Sequence, residues 1–166
     1  MGTVANVLHG ISSLSIDGAD VGFTSGGVEI EKSVDTFEKL VDQVLDALDI
    51  VPTQYMFHVN TEFAEATLTN LYFVWNETTA PVVVPAVTRT LDLGYQQEIP
   101  EHALVFVGTD PEGNARTYTV YRAKSADASA HSLKKDEQII IPVAFRCLPD
   151  FTKAEGAWYG KIVDTL

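Results

Sequence analysis

Basic side chains, cysteine and long apolar runs are all scarce in this sequence of 166 residues. Its only cysteine is Cys147, which excludes an internal disulfide. No apolar run approaches the roughly 18 residues that a membrane-spanning helix needs, and the first residues lack the basic start and apolar stretch of a secretion signal. We therefore expect one soluble domain, made in the cytoplasm, that buries its core without a disulfide or a metal.

The shortage of basic residues gives the chain a strongly acidic balance. Eleven Lys and Arg stand against 23 Asp and Glu, for a formal net charge of -12. Tight nucleic-acid binding depends on cations that release counterions from phosphates, so this balance argues against it. Between Asp17 and Glu65 there are eleven acids and only two lysines, Lys32 and Lys39. Solubility alone is one explanation of such an excess.

Alternation of apolar and polar residues predicts strands in the first half of the chain. Near the start it predicts a hairpin that turns at Asp17-Gly18, followed by a strand through Val28 and Ile30. A longer alternation over 55–63 predicts a half-buried strand. This strand runs almost directly into an amphipathic helix over 65–75, where apolar residues recur at helical spacing.

Strand signals dominate the second half. They cover 103–108, 117–123, 138–148 and 158–163, while Val82–Val84, between two prolines, suits an irregular edge or connection. The sequence therefore predicts a mainly β fold, a two-sheet β-sandwich or barrel with one flanking α-helix. We expect residues 1–12 to form an N-terminal arm and residues 13–166 to form a single domain.

Residues 37–48 are ambiguous. Their apolar side chains recur at helical spacing, with acids on the other side, and this periodicity alone favours an amphipathic helix.

Residues suited to catalysis or metal binding are not grouped in the sequence. The four histidines, His9, His58, His102 and His131, are far apart and lack metal-ligand spacing. Cys147 lies in an apolar strand, which predicts a buried, inert thiol. No phosphate loop and no Gly-x-Ser-x-Gly elbow occurs. We therefore assign no catalytic, cofactor-binding or metal-binding residue and expect a protein that is not an enzyme and has no cofactor. The aromatic residues on the apolar stripes are expected in the core: Phe57, Phe63, Tyr72, Phe73, Trp75, Phe106 and Phe145.

Four segments occur in an order that resembles the tail tube proteins of bacteriophages: 16–22 (IDGADVG), 25–30 (SGGVEI), 41–43 (VDQ) and 63–71 (FAEATLTNL). In that family an early hairpin with a Gly-Gly turn precedes a strand with a Val-Asp-Gln-like element. A strand that runs straight into an Ala-Glu-Ala-Thr-Leu helix follows them. The segment 145–150, with Gly156 and 158–163 after it, is similar to the family's closing strands, so the resemblance spans roughly residues 14–163.

The resemblance implies a β-sandwich with one flanking helix, six copies of which form a ring. Rings of this kind stack into a hollow tail tube that conducts DNA into the host, and related tubes serve type VI secretion and contractile injection systems. The implied partners are further copies of the chain and the tail-tip initiator, tail terminator and ruler proteins. DNA would pass through the lumen without specific binding, and the protein would reside in the virion after assembly in the host cytoplasm.

The resemblance also suggests roles for particular residues. We expect the polar sides of two strands, Glu29, Glu31, Asn60 and Glu62, to face the lumen, where carboxylates would repel DNA phosphates. Their apolar neighbours Val28, Ile30, Phe57 and Val59 would face the core. Contacts between rings are expected from the N-terminal segment 1–12 and from two loops, at Val4, Val7, Leu8, Leu48, Asp49 and Val83. In the family the Val-Asp-Gln element lies on a strand, so we predict strand through about Asp42 and irregular chain after it, with a helical insertion as the second choice.

Two other classes of protein remain open at this stage. A monomeric ligand- or carbohydrate-binding β-sandwich would use exposed aromatic residues such as Trp158 and Tyr159. A small β-rich enzyme would need a cleft in which the pKa values of its acids are shifted.

Overall fold

The computed structural model describes residues 11–42, 46–85, 87–95, 97–125 and 135–165. Over these residues the chain is mainly β with one α-helix, which confirms the predicted fold class. The elements in chain order are β1 Ile11–Ile16, β2 Ala19–Asp20, β3 Thr24–Lys39, β4 Asp49–Phe63, α1 Leu68–Val74, β5 Val82–Val84, β6 Thr88–Thr90, β7 His102–Thr109, β8 Ala115–Ser125, β9 Ile141–Cys147 and β10 Gly160–Asp164.

Eight of these strands form one antiparallel sheet. Its order is β2-β1-β7-β8-β9-β4-β3, and β10 also pairs with β8. The long strand β8 divides the sheet, because its first half pairs with β10 and its last residues, 123–125, pair with β9. The strands β5 and β6 form a separate two-stranded sheet.

The core lies between the two halves of the large sheet. Leu14 and Leu104 come from β1 and β7 at one end of the strand order, and Val59 and Phe145 come from β4 and β9 at the other. All four belong to one buried cluster, so the sheet curves until its halves face each other. Burying this apolar surface is the main stabilising contribution to the fold.

Most of the aromatic residues predicted for the core are there. Phe63, Phe73, Phe106 and Phe145 are buried, and Phe57, Tyr72 and Trp75 are half-buried against the same cluster. Val59 is buried and Val28 is half-buried, as predicted. The prediction for Ile30 was wrong, since 45% of its surface is exposed. Ile30 lies where the β3–β4 pair leaves the body of the protein, so fewer side chains cover it.

The helix α1 follows β4 closely, as the sequence predicted, but it is shorter than the 65–75 segment. Thr67 caps it, and its hydroxyl accepts a hydrogen bond of 3.1 Å from the Asn70 amide. Leu71, Phe73 and Val74 are buried in the core. The stripe that predicted the helix comprises Leu68, Leu71, Tyr72 and Trp75; Leu71 is buried and the other three are half-buried against the core, so the buried surface of the helix is wider than this stripe.

Residues 37–48 contain the end of a strand and no described helix. Strand β3 continues through Lys39 and pairs with β4, so Phe37 lies opposite Val51. The predicted strand end at Asp42 is three residues late, and the helical alternative is wrong for Phe37–Lys39. Of the rest, residues 40–42 and 46–48 are irregular, and 43–45 lie outside the described residues.

Two further boundaries differ from the prediction. Strand β1 begins at Ile11, inside the segment 1–12 that was predicted to be an N-terminal arm. Residues 1–10 lie outside the described residues. Val82–Val84, for which an irregular edge or connection was expected, forms a short strand, β5, of the two-stranded sheet. In the part of the chain that the structure describes, β5 pairs only with β6, so the flanking prolines Pro81 and Pro85 do not interrupt a central strand.

Candidate functional site

Three neighbouring strands, β3, β4 and β9, carry a polar face on the side away from the core. Glu29 lies directly opposite Asn60, and side chains of such cross-strand partners share one face. Glu31 and Glu62 lie two residues along the same strands and therefore on the same face. The structure thus brings together the four residues predicted to face a lumen. Glu29, Glu31 and Glu62 are exposed, and Asn60 is half-buried.

A bulge in β3 shapes this face. Ser25 pairs with Glu62 and Val28 with Thr61, so Gly26 and Gly27 are extra residues in β3. Their φ angles of +72° and +85° are in the left-handed region that favours glycine. The Thr61 hydroxyl donates a 2.9 Å hydrogen bond to the carbonyl of Gly27 and fixes the bulge. Beside it lies an open recess of about 370 Å³, lined by Glu29, Asn60, Glu62, Pro142 and Ala144 among others.

A row of basic residues crosses the same face, and sequence reasoning missed it. His58 on β4 lies opposite Arg146 on β9, and Arg146 lies opposite Lys124 on β8. The Arg146 Nη1 atom is 3.2 Å from His58 Nε2. These residues are far apart in sequence, and only the pairing of β4, β9 and β8 places them in one row. The face is therefore acidic near β3 and basic further in.

The basic row ends in an ion-pair cluster around Glu101. Arg122 binds its carboxylate through two nitrogens, at 2.7 and 2.8 Å, and Lys124 Nζ lies 3.4 Å away. The hydrogen bond from Arg122 is the main reason that the pKa of Glu101 lies below its usual value. Lys124 is thus partly neutralised where the row meets this cluster.

The outer edge of β3 is open. Strand β3 is the last in the sheet order, and its 16 residues pair with β4 on one side. Among the described residues no strand pairs with its other side. At the opposite end of the order, β2 covers only Ser15 and Ile16 of β1, and β10 pairs only with β8 among the described strands; both edges are shorter than that of β3. An edge as long as that of β3 presents a row of backbone donors and acceptors to another chain.

The far part of the β3–β4 hairpin projects from the body. Strand β9 pairs with β4 only from Phe57 to Phe63, so residues 33–42 and 46–56, which we name the arm, have no third strand in the described structure. Lys39 and Asp49 form an ion pair of 3.1 Å near its end. Large apolar side chains of the arm are 38–69% exposed: Val34, Phe37, Leu40, Val41, Leu48, Ile50 and Tyr55.

The residues predicted to join successive rings fall in different places. Leu48 and Asp49 lie on the arm and are exposed. Val83 is exposed as well, but it belongs to β5 in the separate small sheet. Val4, Val7 and Leu8 lie outside the described residues.

Other chemically notable groups have structural roles. His102 is buried, and its Nδ1 atom lies 2.7 Å from a carboxylate oxygen of Asp17, which links the β1–β2 turn to β7. The ring of Phe73 packs edge-on against it, with centroids 5.1 Å apart. Cys147 is also buried, and burial raises the pKa of its thiol to about 11. An inert Cys147 was predicted, and both its burial and its raised pKa agree.

No protein-family model and no curated protein matches the chain. In the described part of the chain, no helix has the length and apolar character needed to cross a membrane. The same residues include no group of three or more His, Cys, Asp or Glu side chains placed to hold a metal ion.

Proposed function

We propose that the protein is the structural subunit of a bacteriophage tail tube, in which six copies form a ring and the rings stack into a hollow conduit for DNA. The observation that carries this proposal is the open 16-residue edge of β3. Pairing of this edge with a neighbouring copy would satisfy its backbone groups, and closure of the ring would leave no edge exposed. Tail-tip, terminator and ruler proteins would be the further partners, and the virion the final location.

The charge of the sheet beside this edge supports the same proposal. Glu29 and Glu31 belong to β3 itself, and Glu62 to the adjacent strand. If these strands line a lumen, their carboxylates repel phosphates at close range, because screening at physiological salt acts over about 8 Å. Repulsion keeps DNA from adhering to the wall and allows it to slide.

The exposed apolar surface of the arm is a further support. A monomer in water gains nothing from leaving Phe37, Leu40 and Ile50 exposed on a projecting hairpin. Phe37 pairs with Val51 and Ile50 pairs with Glu38, so both faces of the hairpin expose apolar side chains. Exposed apolar surface marks interaction sites, and the arm is therefore expected to be covered in the assembled state. A subunit of stacked rings needs such a contact along the tube axis in addition to the contact within a ring.

The first test measures particle mass by light scattering over a range of protein concentrations. The proposal predicts a concentration-dependent rise to particles of six monomer masses and then to larger ones. A mass that stays at one monomer at all concentrations, also after addition of tail-tip components, contradicts it.

A second test addresses the lumen assignment. The double change Glu29→Lys and Glu31→Lys should leave tube formation intact and impair DNA ejection, because the wall would then attract phosphates. A matched control is Glu98→Lys with Glu112→Lys, which changes the net charge equally at exposed acids in loops. Normal infectivity with the β3 double change contradicts the assignment of these acids to the lumen.

A monomeric carbohydrate- or ligand-binding module is the second candidate. It is favoured by Phe151, which is 70% exposed and packs edge-on against Trp158 with centroids 5.2 Å apart. Exposed aromatic rings are a common platform for apolar faces of ligands. Tyr159, the other candidate, instead stacks on Phe57 at 4.5 Å. This alternative predicts a monomer at every concentration and a ligand whose binding is lost in Trp158→Ala.

A further inference from the structure

An apolar cleft lies where the arm leaves the body of the protein. It has a volume of about 390 Å³ and lies between the β3–β4 pair and strands β8 and β10. Most of its wall is apolar or aromatic, with contributions from Ile30, Phe57, Phe106, Tyr118, Tyr159 and Ile162. We name it the elbow cleft. It is open to solvent on one side, as the exposed Ile30 and Ile162 show.

Two lysines flank the elbow cleft. Lys161 lines it, and the Lys32 ammonium lies 5.3 Å from the centre of the Phe57 ring in the cleft wall. In the described structure neither lysine forms an ion pair with a carboxylate. In a chain with a net charge of -12, two free cations beside an apolar opening are unusual. An occupant that matches them is apolar and carries acids.

The tip of the arm, residues 37–42 and 46–48, is both apolar and acidic. Phe37, Leu40 and Leu48 are each about 60–70% exposed, and acids lie beside them at Glu38, Asp42 and Asp46. The nearest basic residue, Lys39, is already paired with Asp49. The tip therefore offers apolar side chains together with carboxylates that have no basic partner among the residues that the structure describes.

A tip and the cleft of its own chain are too far apart to meet. Lys32 lies at the cleft, just before the arm, and β3 then runs seven residues to Lys39, a distance of roughly 23 Å at the rise of an extended strand. Pairing of Phe37, Glu38 and Lys39 with β4 holds the arm extended to its end. A tip that enters the cleft therefore belongs to another copy.

We propose that the elbow cleft binds the arm tip of a second copy of this chain. Because different surfaces of the two copies meet, the contact is heterologous, and each copy that inserts its tip still offers an empty cleft to the next. This inference rests on the proposed function, because it requires an assembly to which copies are added one after another. It goes further in naming both surfaces of one contact.

Cysteine cross-linking between two versions of the full chain tests the proposal. One version carries Leu40→Cys and an affinity tag, and the other carries Ile162→Cys. Mixing them under mild oxidation should give a disulfide-linked pair that neither version forms alone. The native Cys147 is buried with a raised pKa and will not interfere. Glu112→Cys, at an exposed turn of the β7–β8 hairpin, is the matched control for Ile162→Cys and should not cross-link to Leu40→Cys.

Charge exchange gives a second readout in the same experiment. Adding Lys32→Glu and Lys161→Glu to the Ile162→Cys version should reduce the cross-linking yield by about tenfold, the effect of two partly exposed ion pairs. Adding Glu38→Lys and Asp42→Lys to the Leu40→Cys version should restore it. This restoration would exclude misfolding as the cause of the loss.

Each other outcome overturns a particular statement. Cross-linking of Leu40→Cys to itself would show a tip-to-tip contact and overturn the proposal. Cross-linking of Ile162→Cys to Val7→Cys and not to Leu40→Cys would assign the cleft to the N-terminal segment and also overturn it. Six-copy rings without the Leu40 to Ile162 cross-link would overturn the proposal and leave the tube intact. The cross-link in the absence of six-copy particles would support the contact and contradict the ring.

Discussion

At the scale of the residue, the entry into β3 depends on a glycine with little room beside it. Gly22 has a φ of +78°, and a Cβ atom at this position would collide with the carboxylate of Glu65. That carboxylate accepts a 3.1 Å hydrogen bond from the amide of Phe23. A side chain at position 22 is therefore disfavoured both by the left-handed backbone and by the Glu65 carboxylate that accepts the hydrogen bond.

We predict that Gly22→Ala destabilises the protein more than Gly113→Ala. Both glycines have positive φ angles, but a Cβ atom at Gly113 would meet open space. Gly113→Ala should cost about 1 kcal/mol for the left-handed backbone, and Gly22→Ala about 1 kcal/mol more, since Glu65 must give up its hydrogen bond. Chemical denaturation measures both values. In a Glu65→Ala background the two changes should cost the same, and a difference that persists there contradicts the explanation.

A second prediction at this scale concerns Cys147. Burial raises the pKa of its thiol from the usual 9.0 to about 11, so the thiol is neutral in the folded protein at a pH where it ionises in the unfolded chain. Stability from this group is complete below pH 9 and is lost as the pH rises towards 11. At pH 11 the loss should be about 2 kcal/mol relative to pH 8.

The variant Cys147→Ala isolates this effect from the tyrosines and lysines that titrate in the same range. The free energy of unfolding of the native protein should fall between pH 8 and 11 by about 2 kcal/mol more than that of the variant. Parallel pH profiles would contradict a raised pKa for this thiol.

At the scale of the element, the passage from β4 into α1 depends on one buried amide. Asn70 is almost fully buried, and its side-chain nitrogen donates hydrogen bonds of 2.8 Å to the carbonyls of Val21 and Glu65. It thereby ties the helix to the chain before β3 and to the end of the preceding loop. Both carbonyls would lose a donor without it.

We therefore predict that Asn70→Ala lowers the free energy of unfolding by about 2–4 kcal/mol, through two lost hydrogen bonds and the carbonyls left without a donor. Thr69→Ala, at the exposed neighbouring position in α1, is the control and should be close to neutral. Alanine favours helix at both positions, so propensity cannot account for the difference. Thermal or chemical unfolding of the two variants decides the matter, and equal stabilities would refute the role given to Asn70.

Elements with strong local patterns could be predicted from the sequence. The alternation over 55–63 and the helical stripe after it became β4 and α1, because both patterns matched one buried side. In the segment 37–48 the helical periodicity was misleading, since the large apolar residues that the structure describes there, Phe37, Leu40, Val41 and Leu48, are exposed on the arm. There the pairing of β3 with β4 determined the structure. Pairing is a contact between distant residues that a local pattern does not contain.

The candidate site was predictable to the same extent. A period of two places Glu29 and Glu31 on one face of a strand, and Asn60 and Glu62 on one face of another. The two faces adjoin because β3 and β4 are consecutive strands that pair as a hairpin. The basic row could not be predicted, because the pairing of His58, Arg146 and Lys124 crosses up to 88 residues of sequence.

At the scale of the whole molecule, the body and the arm separate stability from assembly. All of the described core residues lie in the body, and none of them belongs to the arm. The open edge and the apolar tip both belong to the β3–β4 pair. Changes confined to the arm should therefore abolish association between copies and leave the body folded.

A shortened hairpin tests this separation. Val34 and Tyr55 are direct partners, so residues 35–54 can be replaced by Asn-Gly, which favours a two-residue hairpin turn. We predict that this variant keeps its free energy of unfolding within about 1 kcal/mol and no longer forms stacked assemblies, because none of the described core side chains lies in the removed segment. A loss well above 2 kcal/mol in chemical denaturation would show that the arm contributes to the fold, contrary to this account.

Negative-stain electron microscopy of the purified protein over a range of concentrations shows most directly whether copies of the chain form rings and tubes. The account predicts six-fold rings at intermediate concentration and hollow tubes at high concentration, since an open edge and an apolar tip on each subunit provide one contact within a ring and one between rings. Uniform particles of monomer size at every concentration, with or without tail-tip components, would contradict it.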